Sequence, residues 1–205
     1  MTRSPTPAGG TGRCRHAGAE STGPATTRRR LLGGAVALAS TALAGCLGND
    51  EDEEPPEPIG LDDGQSCDVC GMLIADHYGP AGQVFYGGGE PADRDGPARF
   101  DSVRELVVFD EEHRERGWER RAAFVTDYSA VGYDLVEGDG TLHVSTHAER
   151  EAFERAAGLH YVVGSDVEGA MGPEYLPFSD RADAEGFVAD HGGDVRGWGE
   201  LVGDA

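Results

Sequence analysis

An apolar run from Leu31 to Ala44 separates the N-terminal residues of this chain from the residues that remain to form a folded domain. The run follows the arginines at 28–30 and leads into Gly45-Cys46. It has the length of a signal-peptide core and is too short for a stable membrane-spanning helix. Paired arginines before such a core are typical of a twin-arginine export signal, and Leu-Ala-Gly-Cys resembles a lipobox. We predict a signal peptide with a polar N-terminal extension at residues 1–45. Cys46 is then lipid-modified and anchors the protein at the extracytoplasmic face of the cell membrane; an uncleaved anchor helix is the alternative.

The residues after Cys46 form an acidic segment that is rich in proline. Residues 50–58 combine like charges with three prolines, and such a segment cannot bury a hydrophobic core. We therefore predict that residues 46–66 are a disordered tether. The remaining residues 67–205 form the working domain, with subunits at about 67–117 and 118–205.

The charge of the chain restricts its partners. All 17 basic residues are arginines, against 38 acidic residues, and the net charge is −21. A chain of this sign lacks the basic surface that phosphate backbones require, so we expect no nucleic-acid partner. Acidic residues are spread along the whole chain and lysine is absent, which predicts a halophilic protein adapted to high salt.

The order of apolar stretches and turns predicts an α+β fold made of two related strand-strand-helix units in one compact region. In the first unit, strand-like residues 72–74 and 83–86 precede a helix from Val103 to Arg116, capped by Asp101 or Ser102. In the second unit, residues 161–163 are strand-like, and residues 177–180 open a helix that ends at Gly192-Gly193. Between the units we expect short strands at 122–126, 132–136 and 142–144 and a short helix near 148–156. Phe100-Asp101-Ser102 and Phe178-Ser179-Asp180 mark equivalent points of the repeat.

The sulfur-containing residues of the domain predict a site for a soft metal ion. Cys67 and Cys70 lie in the sequence Cys-Asp-Val-Cys-Gly-Met, which ends at Met72, and the other methionine of the domain is Met171. Thiolate and thioether ligands select Cu(I) over magnesium or calcium. A glycine before Met72 allows the backbone to turn, so that its thioether can reach a metal held by the cysteines. His77 follows and offers an imidazole.

Each of these residues also has a different interpretation. The cysteine pair is compatible with half of a structural zinc site completed by histidines, with a redox dithiol, or with a plain disulfide. A redox dithiol usually starts a helix, whereas a strand is expected to follow here. Either methionine alone is compatible with core packing, and His77 alone with a surface position.

No catalytic motif accompanies the sulfur residues. The sequence contains no G-x-S-x-G elbow, no H-E-x-x-H pair, no G-x-G-x-x-G segment and no phosphate loop. We therefore predict a binding protein that is not an enzyme. Its alternative is an exported thiol-disulfide oxidoreductase that uses Cys67 and Cys70.

Several segments together resemble the NosL family. They are Cys67 to Met72, Phe100-Asp101-Ser102, Thr126-Asp127-Tyr128, residues 161–167 and residues 170–178, while 133–157 follow the family pattern poorly. The resemblance implies a lipid-anchored copper chaperone that delivers Cu(I) to nitrous-oxide reductase or its assembly machinery. Family members hold Cu(I) with a cysteine, a methionine and a histidine. On this chain, those roles fall on Cys70 or Cys67, on Met72 or Met171, and on His77.

Overall fold

The computed structural model describes residues 55–93 and 95–203. The predicted signal peptide, the lipid attachment at Cys46 and the first part of the predicted tether lie outside these residues. In the described part of the chain, no helix has both the length and the apolar character to cross a membrane.

The first unit is an antiparallel sheet with a helix between its second and third strands. Strand β1 (Gly82–Tyr86) is central and pairs with β2 (Ala98–Phe100) on one side and β3 (Arg120–Thr126) on the other. Helix α1 (Val103–Glu115) connects β2 to β3. A later short strand, β6 (Phe153–Arg155), extends this sheet beyond β3.

The second unit repeats this path. Strand β7 (His160–Gly169) is central and pairs antiparallel with β8 (Gly172–Phe178) and β9 (Asp194–Gly197), while helix α2 (Arg181–His191) connects β8 to β9. A hairpin of β4 (Leu135–Gly138) and β5 (Thr141–Val144) adds to the far end of β7 through parallel pairing. A single turn, α3 (Trp198–Leu201), follows β9.

The predicted α+β fold with two related strand-strand-helix units is therefore confirmed, and each unit gains a third strand after its helix. The two Phe-containing motifs occupy equivalent positions. Phe100 and Phe178 end the second strand of their units and are buried. The next helix is then capped by a side chain, with Ser102 accepting from Glu105 N at 3.2 Å and Asp180 accepting from Ala182 N at 2.8 Å. Each cap satisfies a backbone donor that the helix cannot pair internally.

The predicted boundaries of the domain are wrong at two places. The fold begins before Cys67, because the Gln83 side chain bonds both the N–H and the carbonyl of Ile59 at 3.0 and 2.8 Å, and Leu61 is fully buried. Ile59 and Leu61 follow the proline-rich segment and pack with the rest of the domain. The division at 117/118 also fails, because β3 pairs with β1 of the first sheet.

The helix expected near residues 148–156 is absent. This segment instead consists of a 3-10 turn (Arg150–Ala152), strand β6 and a second 3-10 turn (Ala156–Gly158). The edge of β3 explains the difference, because Phe124 to Thr126 pair with residues of β6. Tertiary pairing overrides the local helical preference of an alanine- and glutamate-rich stretch.

Three other element predictions also differ from the structure. Residues 72–74 do not form a strand, since Leu73 makes only one isolated bridge, to Ser66, and Ile74–Asp76 is a 3-10 turn. Pro177 and Phe178 end β8 and do not open the helix, which begins at Arg181. The predicted strand at 132–136 lies later, at β4.

A buried ion pair fastens α1 to the first sheet. Asp110 of α1 is fully buried; it accepts a hydrogen bond from the Tyr86 hydroxyl at 3.0 Å and pairs with Arg120 of β3. Burial, followed by the nearby Asp110 carboxylate, raises the pKa of Tyr86 well above its usual range. The helix that follows the Asp101 motif is thus fixed to β1 and β3 by polar contacts as well as by its apolar face.

Arg120→Met is expected to lower the free energy of unfolding by about 3–5 kcal/mol, because it leaves the buried Asp110 carboxylate without its cation. Urea unfolding at constant salt measures this change. Adding Asp110→Asn to the same chain removes the uncompensated charge and should recover much of the loss. Equal stability of Arg120→Met and the unchanged protein would contradict a structural role for the pair.

Candidate metal centre

The two cysteines of the domain lie in a tight loop that is closed by backbone hydrogen bonds. Cys67 N donates to Met72 O at 2.8 Å, and Gly71 N donates to Cys67 O at 3.0 Å. Gly71 has a φ of 76°, which a residue with a side chain rarely adopts. The bridge between Ser66 and Leu73 closes the base of the loop. The Cys-x-x-Cys-Gly sequence therefore encodes the turn that brings its own two thiols together.

Asp68 fastens this loop to strand β2. Its N–H donates to the Arg99 carbonyl at 2.8 Å, and its carboxylate accepts from the Arg99 N–H at 2.7 Å. Because Arg99 is the middle residue of β2, the loop is held beside the strand that leads into Asp101. The position of the thiols is thus set by the sheet.

The start of α1 brings two carboxylates to the same place. Asp101 follows β2 directly, Ser102 caps the helix, and Glu105 lies in its first turn. Acidic residues are favourable here, because the unpaired N–H groups give this end of a helix partial positive charge.

Cys67, Cys70, Asp101 and Glu105 form one cluster, in which one ligand atom of each residue lies within 4.8 Å of the others. The Cys67 thiol donates to Glu105 Oε2 at 3.5 Å, and the Cys70 thiol donates to Asp101 Oδ2 at 3.3 Å. Both cysteines are free thiols, Cys67 buried and Cys70 partly exposed. Asp101 Oδ1 is buried and accepts no hydrogen bond within the described part of the chain. The cluster therefore has an unused ligand atom in addition to two sulfurs.

The surroundings of the thiols keep them protonated at neutral pH. Burial raises the pKa of Cys67 well above its ordinary value, and a hydrogen bond with the Asp101 carboxylate adds to that shift. Burial also raises the pKa of Cys70, although the Met72 N–H facing its sulfur lowers it. The pKa of Glu105 is raised by burial and then by the charge of Asp101. Any metal that binds the sulfurs as thiolates must therefore displace protons.

A groove of about 590 Å³ borders the cluster and contains the second methionine of the domain. Its walls include Asp68 and Glu105 from the cluster side and Met171 and Pro173 from the β7–β8 hairpin. The Met171 side chain is 51% exposed. A thioether from the second unit thus lies on the same groove as Glu105, one of the four cluster residues of the first unit.

The structure brings some of the predicted site residues together and separates others. Cys67 and Cys70 share the cluster, and Met171 lies on the adjoining groove. Met72 is half-buried at the end of the cysteine loop, where its backbone bonds Cys67 and faces Cys70. His77 is not in the cluster; its carbonyl instead accepts a hydrogen bond from the Thr146 hydroxyl.

Sequence reasoning did not identify Asp101 and Glu105 as part of the site. Asp101 was considered as a helix cap and as part of the Phe100-Asp101-Ser102 motif but not as a ligand, and the capping role belongs to Ser102. The available signal was a carboxylate on each side of a capping serine at the start of a helix. Only the pairing of the cysteine loop with β2 shows that this helix start faces the thiols.

The sequence places this fold and site in a known group of proteins. Residues 58–205 match the NosL family. The chain belongs to the NosL family. The resemblance predicted from the sulfur-containing motif and from the segment around Met171 is thereby confirmed.

Relatives and a solved structure agree with this assignment. The chain is 29% identical over 164 residues to a copper-binding lipoprotein NosL of Stutzerimonas stutzeri, covering 80% of this chain and 76% of that protein. It is 34% identical over 139 residues to a copper-binding lipoprotein NosL of Achromobacter cycloclastes, covering 65% of this chain and 61% of that protein. The crystal structure of the copper chaperone NosL from Shewanella denitrificans superposes with a TM-score of 0.56 at 25% identity, covering 74% of this chain and all of that one.

Proposed function

We propose that this NosL protein is a metallochaperone that binds one Cu(I) ion and hands it to a copper enzyme. Its client is nitrous-oxide reductase or the machinery that assembles it. Cys46 carries the lipid that anchors it to the extracytoplasmic face of the membrane. The observation that carries the proposal is a cluster of two free thiols and two carboxylates, one of which, Glu105, lines a groove together with the thioether of Met171.

The donor set suits Cu(I). Thiolate and thioether are soft ligands, and Cu(I) prefers them over the oxygen ligands that calcium and magnesium take. Cys67 and Cys70 supply two thiolates, and Met171 supplies the third sulfur from across the groove. Asp101 Oδ2 and Glu105 Oε2 already accept the thiol hydrogen bonds, so they are the first acceptors of the protons that Cu(I) displaces, before these protons pass to the solvent.

The exposure of Met171 gives the site a route for release. A thioether is neutral and binds more weakly than a thiolate, and Met171 lies on the solvent side, whereas Cys67 is buried. An incoming ligand from the acceptor replaces Met171 first and the cysteines afterwards. Copper is therefore never free in solution, and no bond of a substrate is made or broken, which makes the protein a carrier and not an enzyme.

Two titrations test the copper site. The protein carries Cys14→Ser and Cys46→Ser, so that Cys67 and Cys70 are the remaining cysteines, and is reduced and kept at high salt. Cu(I) is titrated against a coloured Cu(I) chelator, and one tightly held ion per chain is the expected result. Failure of the folded, reduced protein to compete with the chelator would refute the proposal.

The four groups of the cluster are also donors that zinc accepts, because Zn²⁺ binds cysteine sulfur and carboxylate oxygen. Titration with Zn²⁺ distinguishes the two metals. A copper carrier should prefer Cu(I), and its affinity should depend on Met171. A zinc site should depend on Asp101 and Glu105 and be indifferent to Met171.

Met171→Leu is expected to weaken Cu(I) binding by about 10–100-fold, because a neutral thioether contributes at most the roughly 100-fold that one strong ligand of a metal site contributes. Met72→Leu is the matched control, because it removes the same thioether from a residue that does not line the groove. Competition with the chelator measures both variants. A loss with Met72→Leu and none with Met171→Leu would transfer the third-ligand role to Met72.

The oxidoreductase alternative makes a different prediction. Its attacking cysteine must be a thiolate, whereas burial raises the pKa of both Cys67 and Cys70. We therefore expect slow thiol–disulfide exchange with a model disulfide at pH 7.

For the client, copper-loaded protein mixed anaerobically with copper-depleted nitrous-oxide reductase should transfer its copper and restore activity.

A further inference from the structure

Met171, the third sulfur of the proposed site, lies at the tip of the β7–β8 hairpin in the second unit. β7 and β8 are joined through Ala170 and Met171, with Gly169 paired to Gly172 across the turn. The cysteines and the carboxylates of the cluster all belong to the first unit. A thioether on an exposed turn contributes to a metal site only where the turn is held in place, because an ordered ligand loses less entropy on binding.

A buried carboxylate holds one side of this turn. Glu174 of β8 is buried, and its Oε1 accepts hydrogen bonds from Arg104 N at 2.9 Å and from Tyr175 N at 2.8 Å. Arg104 is in the first turn of α1, directly before Glu105 of the cluster. The Arg104 guanidinium also donates to the Pro173 carbonyl at 3.5 Å. Glu174, in the strand that follows Met171, is thus hydrogen-bonded to the first turn of α1, which also contains Glu105 of the cluster.

The backbone of the turn packs directly on the Glu174 carboxylate. A Cβ placed on Gly169 would lie 3.2 Å from Glu174 Oε2, closer than ordinary contact. On the other side, Ala170 N donates to the Tyr78 carbonyl at 2.8 Å, and the His143 ring contacts the Gly169 carbonyl at 3.3 Å. The turn is held from both sides, and Met171 is its exposed side chain.

Helix capping alone does not account for a carboxylate at this position. Ser102 already caps α1 locally, and a buried carboxylate is costly unless it is well bonded. Burial raises the pKa of Glu174 to about 7, although the bonds from Ser102, Tyr175 and Arg104 lower it. What Glu174 adds beyond a cap is the connection between the hairpin and the helix start.

We infer that Glu174 is a positioning residue that holds Met171 at the Cys67–Cys70 copper site by bonding the hairpin of the second unit to helix α1 of the first. The inference rests on the proposed function. It assigns to Glu174 no contact with the metal; its effect on copper passes through Met171.

A double-mutant cycle tests the inference in the Cys14→Ser, Cys46→Ser protein described above. Glu174→Ala should weaken Cu(I) binding by about 10–100-fold, and adding Met171→Leu should then weaken it little further. Glu174→Gln keeps an oxygen that accepts from Arg104 N and should restore affinity to within about 3-fold of the unchanged protein. X-ray absorption at the copper edge should show one sulfur fewer in Glu174→Ala.

Two controls separate positioning from a general loss of stability. Arg120→Met destabilises the fold at the opposite end of α1 and should leave Cu(I) affinity unchanged. Gly169→Ala keeps Glu174 and pushes on its carboxylate, so it should weaken Cu(I) binding even where Glu174→Ala does not fold. Additive effects of Glu174→Ala and Met171→Leu, or unchanged affinity in Gly169→Ala and folded Glu174→Ala, would overturn the inference. Absence of Cu(I) binding by the unchanged protein would instead overturn the proposed function.

Discussion

Replacing Cys67 and Cys70 together with serine is expected to lower Cu(I) affinity by on the order of 10⁴-fold. Structural Zn²⁺ sites with four strong ligands gain roughly 10–16 kcal/mol; on that scale each ligand contributes about 3 kcal/mol, or about 100-fold. Serine is close in size to cysteine, but its oxygen is a poor ligand for Cu(I). The chelator competition described above measures the change, and each single variant should show about half of it on a logarithmic scale.

Copper binding by the double variant at the level of the unchanged protein would show that the ion sits elsewhere. The chain offers a useful control in Asp101→Asn. This variant keeps a similar shape beside Cys70 and removes only the carboxylate. It should alter affinity far less than the loss of a thiol, because Asp101 accepts the Cys70 hydrogen bond and does not donate sulfur to the metal.

Raising the pH from 6 to 8 is expected to increase Cu(I) affinity by about 10²- to 10⁴-fold, because one or two protons leave for each copper bound. The sign follows from the raised pKa values of Cys67 and Cys70. Both thiols stay protonated throughout this range, so protons compete with copper more strongly as the pH falls. Two protons reach the solvent for each copper if neither carboxylate keeps a proton. The pKa of Glu105 is also raised, and if Glu105 keeps one proton, only one reaches the solvent.

Competition titrations at several pH values, corrected for the chelator's own protonation, give the number of protons released as the slope. Cys67→Ser should reduce the slope by up to one proton per copper. Met171→Leu should lower affinity equally at every pH, because a thioether does not titrate. A flat profile for the unchanged protein would contradict the expected net release of protons on copper binding.

The sequence predicted the parts of the fold that depend on local signals. The cap and course of α1 were correct because Ser102 and the apolar face of the helix are adjacent in the chain. The stop of α2 was correct because Gly192 has a positive φ. The helix predicted at 148–156 was wrong because pairing with β3 sets the conformation of this segment. The predicted start of the domain at residue 67 was wrong because Ile59 and Leu61 bond to residues that are distant in sequence.

The residues of the candidate site also fall into those that local sequence signals identified and those that only tertiary contacts bring together. Cys67 and Cys70 were recognisable because a single loop carries both, and Met171 was notable as a methionine in a turn. Asp101 and Glu105 join them only through the hydrogen bonds between Asp68 and Arg99, which no local pattern encodes. His77 was a candidate because it follows Met72 closely in the chain, but the cluster does not include it.

The repeat of two similar units has a consequence for quality control of the folded protein. The thiols come from one unit and the exposed thioether from the other, so the full donor set exists only where both have folded and packed. A ligand that binds only the fully folded protein stabilises it. The gain in the free energy of unfolding rises with the logarithm of the ligand concentration divided by the dissociation constant. With the proposed donor set, we expect copies that are half-folded or cleaved between the units to retain two cysteines but to bind copper weakly, so that copper would favour the intact molecules able to pass it on.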